Sequence, residues 1–303
     1  MKIFCTGASG YIGGSVAAAL MASGHHVRGL VRSAESAEKV RALGIEPVIG
    51  TLDDVAILAK EAKAADAVIN AASADHRGAA IALLDALAGS GKAFIHTSGS
   101  SIVGTRSAGQ RVDDVFDETT PFTPSPARAA RVALDKEILS YASKGVRTAI
   151  VCPSLIYGQG LGAKVDSVQV PWLVRTARKH GVAKHYGPGE NVWSNVHIDD
   201  LVALYLRVLE AAPAGAFYFA ENGENSMREV CAAISRMLGF DGTTKAMSLE
   251  EAAAEWGDGP AQDTMGSNSR VRAARARKEL GWAPHARALL DEIAQGSQGP
   301  PRS

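Results

Sequence analysis

The sequence predicts an α/β fold in which a doubly wound parallel sheet carries a smaller, mainly helical C-terminal lobe for substrate. Three observations lead there. Short β-branched or apolar runs bounded by glycine recur through the first half, each is followed by a segment of helical period, and a glycine-rich turn joins the first run to the first helix. Strands that alternate with helices run parallel and return through crossovers, which places helices on both faces of one sheet.

The elements follow in order. KIFCTG, HHVRGLV, IEPVIG, DAVINAA, AFIHTS and VRTAIVCP are the six strands of the first half. Between them, GGSVAAALMASG and RGAAIALLDALAGSG have the composition and apolar spacing of helices packed on a sheet. A seventh strand, AFYFAEN, comes late, behind the helix HIDDLVALYLRVLEAA. SMREVCAAISRMLG, SLEEAAAEW and RVRAARARKELGW are then helical, and the closing GSQGPPRS is expected to fray. This gives a large domain over 1–157 completed by 193–222, a smaller lobe from 158–192 and 223–296, and a disordered tail over 297–303.

Composition narrows the partners. Lysine plus arginine equal aspartate plus glutamate at 32 each among 303 residues, so no bulk charge draws the chain to nucleic acid or to an anionic membrane. The expected partner is a small-molecule substrate, and the protein itself a monomer or a homodimer. No apolar run reaches the length that crosses a bilayer. The opening MKIFCTGASG enters a strand at once, with no charged leader ahead of an apolar core, so a cytoplasmic location is expected. Cys5, Cys152 and Cys231 are odd in number and far apart, which suits buried thiols in a reducing compartment better than a metal site.

TGASGYIGG, residues 6–14, sets Gly7, Gly10 and Gly13 in the pattern GxxGxxG between a strand and a helix. The glycines suit a tight turn, a close approach of backbone to a diphosphate, and helix packing on the sheet, while unpaired amides at the helix start meet the phosphates. Ser9, Tyr11 and Ile12 belong to the same turn and are expected to touch the dinucleotide. The large domain is therefore of the Rossmann type. At the end of the second strand a carboxylate would select NAD; here LVRS puts Arg32 and Ser33 in that place. A guanidinium fork suits a 2′-phosphate, so the expected cofactor is NADP, with NAD second. TLDD, after the third strand, puts Asp53 near the adenine or at the N-cap of the next helix.

NAAS (70–73), HTSGSS (96–101), PSLIYGQG (153–160), VHIDD (196–200) and ELGWAP (279–284) follow TGASGYIG in this order over nearly the whole chain. On these stretches the chain resembles short-chain dehydrogenase/reductases of the extended or atypical type, related to the NAD(P)-dependent epimerase/dehydratases. The resemblance implies that Ala71 and Ala72 line the cofactor near its ribose, that Ser98 belongs to the cofactor site, and that Pro153 and Ser154 border the nicotinamide. Tyr157 would overhang the substrate or pack the junction between the lobes.

The resemblance also implies a serine or threonine after the fifth strand, and a tyrosine four residues before a lysine on the helix that precedes the sixth. With Asp135 set against the acidic residue usual later in that helix, Ala127 stands in the tyrosine place, Arg131 in the lysine place and Gly99 in the serine place. Tyr141 and Lys144 do not replace the pair, because Tyr141 lies about 21 Å further along a helix. What remains is Ser100 with Tyr157 to hold a substrate oxygen and Arg131 to stabilise an oxyanion, water delivering the proton. Arg131, like Arg128, also reads as a plain surface charge.

Sugar-nucleotide epimerases of the family tend to carry an arginine for the substrate diphosphate shortly before the VHIDD-like segment; Trp193 takes that place here. With Tyr157, Trp172 and Tyr186, it suggests an apolar or aromatic substrate. His197, Asp199 and Asp200 read as structural, with Asp199 capping a helix and no metal bound. Arg270 to Lys278 reads as the solvated face of a packed helix. The function expected is an NADP-dependent oxidoreductase that moves hydride to a carbonyl or related group of a small apolar or aromatic substrate. A non-catalytic NADP-sensing regulator, and an epimerase or dehydratase with tightly bound cofactor, stay open.

Overall fold

The computed structural model describes residues 1–295, so the predicted disordered tail, 297–303, lies outside the described residues. Strands β1 (Lys2–Thr6), β2 (His26–Val31), β3 (Glu46–Ile49), β4 (Ala67–Asn70) and β5 (Ala93–Thr97) alternate with helices α1 (Tyr11–Ala22), α2 (Ala34–Arg41), α3 (Val55–Ala64) and α4 (Arg77–Leu87). Helix α5 (Pro126–Ser140) precedes the strand Arg147–Pro153; α6 (Gln169–His180) and α7 (Ile198–Ala211) precede the strand Ala216–Ala220. The sheet order is β3, β2, β1, β4, β5, Arg147–Pro153, Ala216–Ala220, with every pair parallel. The doubly wound Rossmann fold expected from the sequence is the fold observed. The order reverses between β1 and β4, and a crevice opens at such a point outside the carboxyl ends of the strands.

Residue types explain the layers. Every position of β4 (AVIN) and β5 (AFIHT) is buried, as central parallel strands covered on both faces require. The edge strand β3 tolerates Pro47, whose missing N–H would break a ladder further in. Helix α1 is built of small residues (YIGGSVAAALMA) and packs against β2 and α7.

A second apolar cluster gathers Leu155, Val170, Leu173, Trp193, Ile234, Met247, Trp256 and Ile293. Helix α8 (Met227–Met237) and the helix Leu249–Trp256 both open with reciprocal capping boxes, Ser226 with Glu229 and Ser248 with Glu251. This part also holds short strands that the sequence reading does not contain. Leu155–Tyr157 pairs with Val192–His197, which pairs with Glu224–Ser226, and Ala183–Tyr186 pairs with Thr244–Met247. Strands of three to six residues leave too short a pattern to stand out.

Three placements differ from expectation. Val271, Ala273, Ala276, Leu280 and Trp282, assigned by sequence to the small lobe, pack into the core of the large sheet. The basic run is a solvated face only in its helical part, Ala274–Leu280, where Arg277 and Lys278 are exposed over buried Ala276 and Leu280; its front is not helical and is held by ion pairs. Arg270 and Arg272 both pair with Glu224, and Arg277 with Glu221, the Arg270 side chain being 9% exposed. His197, rather than Asp199, caps α7, its Nδ1 accepting the Asp199 amide at 3.1 Å. Asp200 is buried and accepts the backbone amides of His285 and Ala286, while its carbonyl accepts Trp282 Nε1–H, so it pins the C-terminal segment to α7. The three cysteines are buried and unpaired, and burial raises the thiols of Cys5 and Cys231 to about 12. Among the described residues no helix is long and apolar enough to cross a membrane.

Candidate active site

The turn between β1 and α1 forms the floor of a cleft of about 500 Å³ at the switch point. Gly7 has φ +74°, and a Cβ there would lie 2.8 Å from Ala71 O, in the neighbouring loop. A Cβ on Gly13 would lie 2.5 Å from Gly7 O, so α1 reaches the turn only through a bare Cα. Helix α1 has Gly10 as N-cap, no side-chain cap and no acid in its first turn. Its first amides therefore lack intrahelical acceptors and face an uncompensated positive end of the helix dipole. Gly7, Ser9, Gly10, Tyr11, Ile12, Gly13, Arg32, Ala71 and Ala72 all line the cleft. A dinucleotide's diphosphate fits this cradle, since only hydrogen stands where a Cβ would intrude.

The adenosine end is less uniform. Arg32 lines the cleft and, among the described residues, has no hydrogen-bond or ion-pair partner. Ser33 beside it caps α2, its Oγ accepting the Ser36 amide at 3.2 Å. Asp53 does not line the cleft: its side chain is 87% exposed, its Oδ1 lies 3.2 Å from His76 Nε2, and Asp54 takes the N-cap of α3. Thr51 and Leu52 line the wall instead.

Sequence reasoning missed the opposite wall. Ile156, Lys164, Ser167, Val168 and Gln169 line it, from a segment that lies along the start of α1. Apart from Ile156, which lies within PSLIYGQG, no motif marks these residues; their position comes from tertiary docking.

The residues expected near the reacting centre lie deeper. Ser98 Oγ donates to Asp135 Oδ2 at 2.7 Å, and Ser154 Oγ donates to the Ala220 carbonyl at 2.9 Å, behind Pro153. Ser100 is 1% exposed, its Oγ 2.8 Å from the hydroxyl of Ser269. Tyr157 is 2% exposed; its hydroxyl donates to the Arg287 carbonyl at 2.8 Å, and its ring meets His197 edge-on. None of these five lines the cleft, and the hydroxyls of Ser100 and Tyr157 already have protein partners, as buried hydroxyls require. The aromatic wall does not assemble either. Trp193 is buried with its N–H donated to the Ser267 carbonyl, and Trp172 borders a separate groove beside Trp256. Tyr141 donates its hydroxyl to Asp85 with Lys144 over its ring, away from the cleft.

Arg131 sits over Gly99, where a Cβ would meet its Nη1 at 3.5 Å. Its Nε and Nη2 hold Asp75 in a two-point pair at 2.8 and 2.6 Å, and Nη1 donates to Ser101 Oγ at 3.2 Å. The side chain is 15% exposed, so this is a fixed group rather than a surface charge. Ser101, which sequence reasoning passed over, is half-buried beside Arg131 and, like Ser100, does not line the cleft.

Below this point lies a buried polar chain. Thr6 Oγ1 donates to Asn70 Oδ1, Asn70 Nδ2 lies 3.0 Å from His96 Nδ1, and His96 Nε2 faces Asp135 Oδ1 at 3.9 Å with neither atom hydrogen-bonded. Burial pushes Asp135 up to about 7 and takes His96 down to about 4. The raised carboxyl contributes stability that is complete below its unfolded pKa, near 4, and lost as pH rises through about 7. The lowered imidazole acts in the opposite sense, its contribution present above about 6.5 and lost as pH falls toward 4. Asp135→Asn removes the first dependence only. Its melting temperature relative to the parent should therefore be higher at about pH 8 than at about pH 5. An equal difference at both would mean that the carboxyl is ionised in the folded protein throughout.

Residues 3–218 match the model of the NAD dependent epimerase/dehydratase family. The chain is 31% identical over 317 residues to an uncharacterized protein of Saccharomyces cerevisiae, covering 97% of this chain and 98% of that one. It is 32% identical over 333 residues to the oxidase ucsJ of an Acremonium species, covering 96% and 95%. To the 4-hydroxy-2-methyl-3-oxo-4-farnesyl-3,4-dihydroquinoline-1-oxide ketoreductase of Stigmatella aurantiaca it is 29% identical over 237 residues, covering 74% and 69%. Among solved structures, dTDP-glucose 4,6-dehydratase of Bacillus anthracis in complex with NAD superposes with a TM-score of 0.77 at 20% identity, covering 98% and 96%.

Proposed function

This chain belongs to the NAD dependent epimerase/dehydratase family, and we propose that it works as an NADP-dependent reductase of a carbonyl on a small apolar molecule. That it is an NAD(P)-dependent oxidoreductase rests on the family and on relatives named as an oxidase and a ketoreductase. The choice of NADP rests on Arg32. This unpaired guanidinium lines the cleft beside the N-terminus of α2, where a carboxylate would favour NAD. A phosphate on the adenosine ribose would meet the guanidinium fork. The apolar substrate is supported by the name of the ketoreductase relative, which gives a ketone on a farnesyl-bearing ring system. Support from Trp193 and Tyr157 falls away, since neither faces the cleft.

The bound cofactor supplies the hydride. The chain's own contribution is to hold the oxygen on which negative charge grows. We assign this role to Ser101, which borders Arg131 and is half-buried where Ser100 and Tyr157 are closed off in the interior: Arg131 donates to Ser101 Oγ, which leaves the hydroxyl hydrogen free to point at a substrate oxygen. A guanidinium behind that hydroxyl strengthens it as a donor, while Asp75 keeps the guanidinium in place. Arg131 itself stays charged, so the proton comes from water.

The test is consumption of NADPH by the purified protein with a panel of apolar ketones, aldehydes and quinones. Ser101→Ala should lower kcat by roughly a hundredfold with the KM for NADPH nearly unchanged. Ser100→Ala should read instead as a lower melting temperature, because it vacates a bond to Ser269 in the interior. Folded protein that binds NADPH yet consumes it with no panel member would remove the reductase reading.

A further inference from the structure

We propose that the strap running from Gly158 to Val168 is the second jaw of the dinucleotide site, in which Lys164 and Ser167 bind the cofactor's diphosphate opposite the glycine turn. This rests on the reading of the cleft as an NADP site and adds the wall opposite the glycine turn to it.

The strap is fastened to α1. Tyr11 donates its hydroxyl to the Gly158 carbonyl at 2.8 Å, and the Leu161 amide donates to Ser15 Oγ at 3.0 Å. At the closest approach two glycines face each other, and a Cβ on Gly162 would lie 2.5 Å from the carbonyl carbon of Gly14. The strap closes on itself through the Gly160 amide and the Val165 carbonyl, 2.8 Å apart. This docking puts Lys164, Ser167 and the first residues of α6 on the wall facing Gly10 to Gly13.

Three properties of that wall call for an anion. Lys164 has no ion-pair or hydrogen-bond partner among the described residues, and the strap's own carboxylate, Asp166, does not line the cleft. Ser167 is 6% exposed, and its Oγ has no hydrogen-bond partner among the described residues, although an unmatched buried hydroxyl is costly. Helix α6 begins at the cleft with Val168 as N-cap, no side-chain cap and no acid in its first turn. The cleft thus lies between the amide-rich ends of two twelve-residue helices, α1 and α6, with one ammonium and one unsatisfied hydroxyl on the side that lacks the glycine turn. A diphosphate carries two charges and oxygens on both sides. The glycine turn serves one side, and Lys164 with Ser167 serves the other.

Calorimetry on the full chain tests this with two probes, NADPH and adenosine 2′-monophosphate, which shares the phosphate read by Arg32 but has no diphosphate. Lys164→Ala should weaken NADPH about tenfold and leave the monophosphate unchanged, while Arg32→Ala weakens both. Lys164→Arg should restore most of the NADPH affinity, and Ser167→Ala should weaken NADPH by a smaller factor. Gly162→Ala, which lifts the strap off Gly14, should reproduce the Lys164→Ala pattern without touching a charge. If Arg32→Ala weakens NADPH and Lys164→Ala does not, the strap assignment alone is overturned. If Lys164→Ala raises only the KM of a carbonyl substrate, the lysine serves the substrate and the proposal fails. If the parent protein binds neither probe, the cofactor reading falls with it.

Discussion

Arg32→Asp should reverse the cofactor preference, weakening NADPH by roughly two to three orders of magnitude and strengthening NADH by up to about tenfold. The asymmetry has a physical source. In the parent, the guanidinium has no partner among the described residues, so binding a 2′-phosphate breaks none of their ion pairs and gains charge-assisted bonds. A carboxylate in its place removes those bonds and sets a second negative charge against a phosphate dianion. With NADH the same carboxylate accepts the two ribose hydroxyls, which is how strand-end acids select that cofactor. The fold should not suffer, because Arg32 is exposed and holds nothing in place. Dissociation constants for both dinucleotides, measured on parent, Arg32→Ala and Arg32→Asp, give the answer. A ratio of NADPH to NADH affinity that stays constant across the three would show that the guanidinium does not meet the 2′-phosphate.

What the sequence disclosed, and what it withheld, follow from where each constraint originates. The glycine turn was legible because its constraint is local: φ +74° at Gly7 and a 2.5 Å approach at Gly13 exclude side chains, so the residue type itself records the geometry. Arg32 was legible because a parallel strand delivers its last residues to the same edge in every fold of this topology. The seven strands announced themselves through buried β-branched runs. The serines show the limit. Ser100 to Val103 forms a 3₁₀ turn, in which neighbours point about 120° apart, so the choice between Ser98, Ser100 and Ser101 depends on where the turn begins. Ser100 turns inward to Ser269, a residue 169 positions away, and Ser101 turns to Arg131. Lys164 and Ser167 are further from view, since they reach the cleft only through the docking of their strap on α1, at Gly14, Tyr11 and Ser15. Tyr157 and Trp193 look like pocket residues in one dimension, but the carbonyls that take their polar hydrogens belong to Arg287 and Ser267, in the last part of the chain. Long-range partners of this kind leave no trace in spacing.

Gly13→Ala should abolish dinucleotide binding, with a loss of at least about a hundredfold for NADPH and NADH alike. The added methyl would stand 2.5 Å from Gly7 O and 2.9 Å from Gly7 C, both backbone atoms, and no rotamer relieves a Cβ. Relief requires α1 to move away from the β1 turn by several tenths of an ångström. That motion separates the two groups of donors a diphosphate needs together, the amides of the turn and those at the head of α1. Losing two charge-assisted bonds at about 1.5–3 kcal/mol each accounts for the size of the effect. Stability should fall as well, because α1 is packed on β2 and α7, so binding has to be read on protein shown to be folded by its circular dichroism and its melting transition. Gly78→Ala is the control. It sits in the first turn of α4, where a Cβ meets nothing closer than 3.7 Å, and it lies outside the cleft lining. If folded Gly13→Ala protein binds NADPH as tightly as the Gly78→Ala control, the dinucleotide does not sit at the head of α1, and the assignments of Arg32, Lys164 and Ser167 lose their common anchor.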